Sequence, residues 1–315
     1  MARFLLIFIF SLICSYILTP LIKRVAESMN IGMAYPGERK VHTQPIPQVG
    51  GWAIYLTFLL VVLLTLKINQ QLLGILLGGS LILILGIIDD LFNLPPKVKL
   101  AGQIMASLIL LFFGVKISFV TNPLGGMIYL GGWGALVTVL WVVGITNALN
   151  LIDGLDGLAA GVSIIAAATF FCLSYLGKPA ETILILSLIL MGSSLGFLRY
   201  NFSPAQVFMG DSGAMFLGFT LSAIAVMGAF KSAATLALLA PILVLGVPIL
   251  DTAFAIVRRL KNGQPAFQAD KEHIHHKLLQ LGLSQRQTVL LIYLVSIFLG
   301  AIALILSRGG GGVGS

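Results

Sequence analysis

Ten stretches of 16 to 19 mainly apolar residues, separated by short polar connections, constrain this chain more than any other feature. They run at about Phe4–Ile22, Gly51–Leu66, Leu72–Ile88, Leu100–Val115, Trp133–Leu149, Leu158–Leu176, Thr182–Phe197, Gly213–Phe230, Ala233–Leu250 and Val289–Leu306. A helix rising 1.5 Å per residue needs about 17–25 such residues to cross the hydrocarbon core of a bilayer, so several stretches sit near the lower limit. Charged residues make up 10% of the chain, against about 25% in an ordinary soluble domain, and the mean hydropathy is +1.04. A soluble core is therefore excluded. The expectation is an all-α polytopic membrane protein of about ten transmembrane helices in one domain (residues 1–308), followed by a Gly-rich disordered tail (309–315). The first stretch lacks a small-x-small cleavage site and ends in Lys23-Arg24, so it reads as a retained span rather than a signal peptide. Cys14 and Cys172 lie inside apolar stretches and read as small buried hydrophobes.

An even number of spans puts both termini on one side. Thirteen of the 19 basic residues then fall on the other side, which the positive-inside rule makes cytoplasmic, leaving both termini extracytoplasmic. The acids carry more information, because orientation rules do not ask them to gather anywhere. Ten of the eleven share the cytoplasmic face, Glu181 being the exception, and all four histidines join them. The longest extracytoplasmic connection, 116–132, reads as a small external β-hairpin turning at Asn122-Pro123. The chain thus has one chemically equipped face, and a purely structural membrane protein does not account for it.

That face is organised around Asn147-Ala-Leu-Asn-Leu-Ile-Asp-Gly-Leu-Asp-Gly157, which spaces Asn147, Asn150, Asp153 and Asp156 three apart at the mouth of an apolar stretch. The plain alternative is a polar loop in which Asp156 caps the next helix. Asp89-Asp90 end the third stretch and Asp251 the ninth, where a carboxylate opposes the helix dipole. Asp211, in Phe-Met-Gly-Asp-Ser-Gly, suits either a helix cap or a metal, and Arg199 and Asn201 lie upstream at the same level. Arg258-Arg259 follow Asp251 by two helical turns, an ion-pair spacing. His273-Ile-His275-His276 lies in a basic loop, and Arg39, Lys40 and His42 form a second basic segment suited to clamping phosphate. Hard carboxylate oxygens ringed by cations are what phosphoryl transfer on Mg²⁺ uses.

In this order, these motifs resemble the polyprenyl-phosphate N-acetylhexosamine-1-phosphate transferases, from about residue 20 to 306. The residues that carry the resemblance are Gly86–Asp90, Asn147–Ala159, Phe208–Gly213, Asp251 with Arg258-Arg259, His273–His276, and Arg39–His42 followed by Gly50-Gly51. The resemblance implies attack by a lipid phosphate oxygen on the sugar-bearing phosphate of a UDP-sugar, with UMP leaving. It assigns Asp89, Asp90, Asp153 and Asp156 to the catalytic centre and Asp211 with Asp90 to Mg²⁺, for which Mn²⁺ is the substitute. It assigns Arg39, Lys40, His42, Asn147, Asn150, Asn201, Arg258, His273, His275 and His276 to the substrates. The partners implied are a UDP-sugar, a polyprenyl phosphate, the bacterial cytoplasmic membrane and a second copy in a homodimer, with no nucleic acid. Within the family, His-Ile-His-His-Lys resembles the N-acetylglucosamine branch, which includes initiators of teichoic acid synthesis. The muramoyl-pentapeptide branch carries three consecutive histidines instead, and other UDP-N-acetylhexosamines remain alternatives. An intramembrane aspartyl protease needs two aspartates deep in adjacent helices, whereas these lie at the ends of apolar stretches. A transporter needs mid-membrane charge, which the stretches almost lack.

Overall fold

The computed structural model describes residues 2–35, 45–121, 127–177, 180–229, 239–261 and 274–309. Helix α1 spans Ala2–Met29; a two-residue ladder pairs β1 (Met33–Ala34) with β2 (Ile46–Pro47); α2 spans Gly50–Thr65, α3 Gln70–Phe92 and α4 Pro96–Phe112. Strands β3 (Phe119–Thr121) and β4 (Met127–Tyr129) follow, then α5 (Trp133–Ile152), α6 (Leu158–Leu176), α7 (Glu181–Asn201) and α8 (Gly210–Ala229). The chain continues through α9 (Leu239–Val244), α10 (Gly246–Lys261), α11 (Ile274–Gln280) and α12 (Gln285–Gly309).

Seven of these helices, α1, α3, α5, α6, α7, α8 and α12, are long and apolar enough to cross a membrane, and α2 is a shorter apolar helix. The chain is a multi-pass membrane protein. The expected hairpin is present, with β3 antiparallel to β4 in the register Phe119↔Tyr129 and Val120↔Ile128. The expected fourth span is the 17-residue α4, whose start is fixed by Pro95-Pro96, since proline suits the first helical turn where its missing N–H costs nothing.

The expected ninth span, Ala233–Leu250, is not one helix. Among the described residues it divides at Leu245 into α9 and α10. Pro248 is the reason: it has no N–H to give Val244, and its ring would clash with that residue's carbonyl, so a helix running through cannot hold. Asp251, expected at the end of a span, consequently lies inside α10 together with Arg258 and Arg259. Similarly, α1 runs past Ile22 to Met29, so Lys23, Arg24 and Glu27 are helical rather than in a loop.

Helix α8 is the axis of the bundle. It is the most enclosed of the seven long helices and packs against α2, α3, α5, α6 and α7, whereas α1 and α12 show most of their length to the surroundings. Its sequence permits this, because small residues such as Gly213, Ala214, Gly218 and Ala223 let neighbouring helices approach closely. Phe216 fills the remaining space, edge-on to Tyr55 and Phe58 of α2. At one end of the bundle Arg3 bonds Glu181 and the Thr65 carbonyl, tying α1 to α7 and α2. The carboxylate cluster lies at the other end.

Candidate active site

Three helix ends converge on Asp211. Helices α3 and α8 cross so tightly that a Cβ on Gly86 would overlap the backbone of Ser212. That crossing brings the last turn of α3 to the first turn of α8. There the Asp90 carboxylate accepts the backbone N–H groups of Asp211 at 2.7 Å and Ser212 at 3.1 Å. Asp90, at the unfavourable end of its own helix dipole, thus caps the favourable end of another. The capping role open to Asp211 from sequence falls to Asp90, and the Asp211 side chain is left for other partners.

Asp89 is buried. Its Oδ1 accepts the Leu94 N–H at 2.8 Å, and its other oxygen is ion-paired with Lys99. The same ammonium donates to Asp211 Oδ2 at 2.8 Å. Lys99 therefore bridges the two carboxylates, and sequence reasoning did not single it out. A signal existed: Lys97 and Lys99 sit in the first turn of α4, where a cation opposes the dipole as surely as Asp89-Asp90 do at a C-terminus.

The Asn147–Gly157 stretch ends α5 and turns into α6. Asn147 lies deeper than the turn, in a reciprocal amide pair with Gln103 of α4 (2.6 and 3.3 Å) and with a bond to the Val143 carbonyl at 2.8 Å. Asn150 is one turn on, and its buried amide lies against the Asp211 carboxylate. Asp156 does not cap α6; its Oδ2 accepts the Ala205 N–H at 3.0 Å. Asn201 is buried and spends its amide on the backbone, accepting from Gly157 N at 3.0 Å and donating to Val207 O at 2.9 Å. Together Asp156 and Asn201 lash the turn after α5 to the loop before α8, and Arg286 holds that loop from α12 with two bonds to the Ser203 carbonyl (3.0 and 2.8 Å).

The histidine segment docks on the same turn. Asp251 Oδ1 accepts the Ile274 N–H at 2.8 Å, fixing the start of α11. His275 is buried, lies tilted against His276 with ring centroids 4.3 Å apart, and sits so close over Gly154 that a Cβ there would overlap the imidazole. Arg258 and Arg259 lie on α10, which packs along α5. Arg39, Lys40, His42 and His273 lie outside the described residues.

A cavity of about 790 Å³ opens beside this cluster. Asp153, Asp156, Asn201 and Asp211 line it, with Lys23 and Glu27 of α1, Gln48 after β2 and Gln285 of α12. Arg258, His275 and His276 are not among its lining residues. Burial pushes the Asp153 carboxyl up to about 8, and the charges of Asp211, Asp90 and Asp156 push the same way. Oxygen donors of this kind suit a hard divalent cation, and Asp211 already holds one positive charge, the Lys99 ammonium. Among the described residues no three His, Cys, Asp or Glu are grouped to hold a metal unaided.

The sequence matches the family model described as glycosyl transferase family 4 over residues 72–229. It is 43% identical over 308 residues to a probable undecaprenyl-phosphate N-acetylglucosaminyl 1-phosphate transferase of Bacillus subtilis (strain 168), covering 97% of this chain and 86% of that one. It is 40% identical to a decaprenyl-phosphate N-acetylglucosaminephosphotransferase of Mycobacterium leprae, covering 90% of this chain and 78% of that one. A phospho-N-acetylmuramoyl-pentapeptide-transferase of Oceanobacillus iheyensis is more distant, at 29% identity over 96% of both chains.

Proposed function

The chain belongs to glycosyl transferase family 4, and from that premise we propose that it transfers N-acetylglucosamine 1-phosphate from UDP-N-acetylglucosamine to undecaprenyl phosphate. The products are UMP and a lipid-linked sugar diphosphate, the first intermediate of a cell-envelope polymer such as teichoic acid. An oxygen of the lipid phosphate attacks the sugar-bearing phosphorus of the nucleotide. The bond from that phosphorus to the bridging oxygen breaks, and UMP carries the electron pair away.

The observation that carries this reading is the Asp89–Lys99–Asp211 bridge, buttressed by Asp90, at the helix ends beside a polar cavity. Lys99 holds phosphate oxygens as charge develops on them, and Asp89 orients its ammonium. Asp211 and Asp90 have the donor chemistry to hold Mg²⁺, which when bound would supply positive charge to offset that of the diphosphate. Asn150 places its buried amide against the Asp211 carboxylate and helps to orient it. Asp153 and Asp156 wall the nucleotide side of the cavity, and His275 closes over Gly154. Ten spans, extracytoplasmic termini and a site facing the cytoplasm complete the reading, supported by the one-sided distribution of acids and bases.

The test is UMP release by the detergent-purified protein with UDP-N-acetylglucosamine, undecaprenyl phosphate and Mg²⁺. Parallel runs omit the metal or replace the donor with UDP-N-acetylmuramoyl-pentapeptide. Metal-dependent turnover of UDP-N-acetylglucosamine alone is the expected result. Turnover of the pentapeptide donor instead would overturn the sugar assignment.

A further inference from the structure

The cavity presents four carboxylates, Glu27, Asp153, Asp156 and Asp211, to substrates that are themselves anionic. Lys23 is the one Lys or Arg side chain among the described residues lining it. It comes from α1, a helix at the edge of the bundle. The outer face of α1 near this end is the stripe Leu21, Val25 and Met29, each about half exposed. Lys23 and Glu27 are one turn apart on the opposite side, since a two-residue offset turns a helix by about 200°. Helix α1 therefore offers hydrocarbon to the lipid and a cation to the cavity at the same height.

Lys23 is only loosely engaged. Its Nζ lies 3.7 Å from Glu27 Oε1, within ion-pair range but beyond a hydrogen bond, so its three N–H donors are not taken up by that contact. The side chain is three-quarters covered, where a charge contact is screened less than on an open surface. We propose that Lys23 is a phosphate anchor of this site: its ammonium binds an oxyanion of a substrate phosphate at the wall where the cavity meets the membrane, and Glu27 keeps it aimed inward when no substrate is bound. The ligand chemistry is a phosphate oxyanion, carried either by the nucleotide diphosphate or by the polyprenyl phosphate. The proposal rests on the transferase reading.

The experiment compares the full-length protein with Lys23→Gln, Lys23→Arg and Glu27→Gln. UMP release is measured while each substrate is varied in turn at saturation of the other. Lys23→Gln is expected to raise one KM by roughly five- to twentyfold with kcat within about twofold, as for loss of one charge-assisted hydrogen bond made equally to bound substrate and transition state. Lys23→Arg keeps most of the wild-type KM, and the thermal midpoint does not move. A rise confined to UDP-N-acetylglucosamine assigns the nucleotide phosphate, and a rise confined to the lipid assigns the polyprenyl phosphate. Unchanged values for both substrates, or a fall in kcat together with the thermal midpoint, overturn the anchor. Thermal protection by UDP and by a short-chain polyprenyl phosphate reads the same contact without turnover. If the wild type fails to turn over UDP-N-acetylglucosamine, the transferase reading falls. Loss of protection in Lys23→Gln then still supports the anchor, and retained protection by both probes refutes it.

Discussion

At the scale of single residues, Asp211 and Lys99 carry the strongest expectations. Asp211→Asn keeps the size and removes the charge that Lys99 faces. Turnover is expected to fall by about two to three orders of magnitude, the usual cost of removing one preorganised electrostatic group, while the purified protein still elutes as a folded species. Near-normal activity would remove Asp211 from the centre. Lys99→Gln leaves buried Asp89 without its ionic partner and is expected to cost both activity and stability, because an unpaired buried charge is penalised. Asp153 gives a pH signature in the metal-free protein. Its folded-state value of about 8 lies above the unfolded value near 3.8. Between those values the folded state holds a proton that the unfolded state has lost, so stability falls as pH rises through this window and levels off above about 8. The thermal midpoint of Asp153→Asn should therefore gain on wild type from pH 5 to 8 and keep a constant lead beyond. A constant difference across the whole range would refute the shift.

At the scale of elements, the site depends on how closely α3 approaches α8. Gly86→Ala puts a methyl into the Ser212 backbone. Overpacking of this kind typically costs about 1–3 kcal/mol, and here it also pulls Asp90 from the N-terminus it caps. The expected outcome is a lower thermal midpoint and a loss of turnover larger than stability explains. Ile84→Ala, on an exposed face of the same helix, should change neither much. Gly154→Ala makes the equivalent test for α11: His275 must leave its place over the turn, so activity is expected to fall with little change in the bundle. Element boundaries were legible where chemistry punctuates them, as at Gly131-Gly132 before α5, whereas the stretch expected from Leu100 missed the start of α4 at Pro96. The break at Leu245 was equally written, in Gly246-Val-Pro248, but a hydropathy reading passes over it because every residue there is apolar.

At the scale of the whole molecule, the two ends of the bundle differ in kind. One end carries the Arg3–Glu181 ion pair, whereas the other gathers the carboxylates. A topology test follows. In a background with Cys14 and Cys172 replaced, Ser28→Cys should react with an impermeant maleimide only in inverted vesicles, and Gln70→Cys only in right-side-out ones. The reverse pattern would invert the orientation. The sequence by itself determined the membrane class, the one-sided chemistry and the motif set, because bilayer-length apolar stretches and the cost of carboxylates at their ends are local properties. It also pointed to the aspartates at 89, 90 and 211. Only the tertiary structure decided how they divide the work. Asp90 caps α8, Lys99 joins Asp89 to Asp211, Asn147 pairs with Gln103, and Asn201 and Asp156 bind loops together. Most of those contacts join residues 44 or more positions apart in the chain, the exceptions being Lys99 with Asp89 and Asn201 with Val207. Spacing within one segment cannot reveal which distant backbone N–H or ammonium a carboxylate will meet, since that is set by how the helices pack.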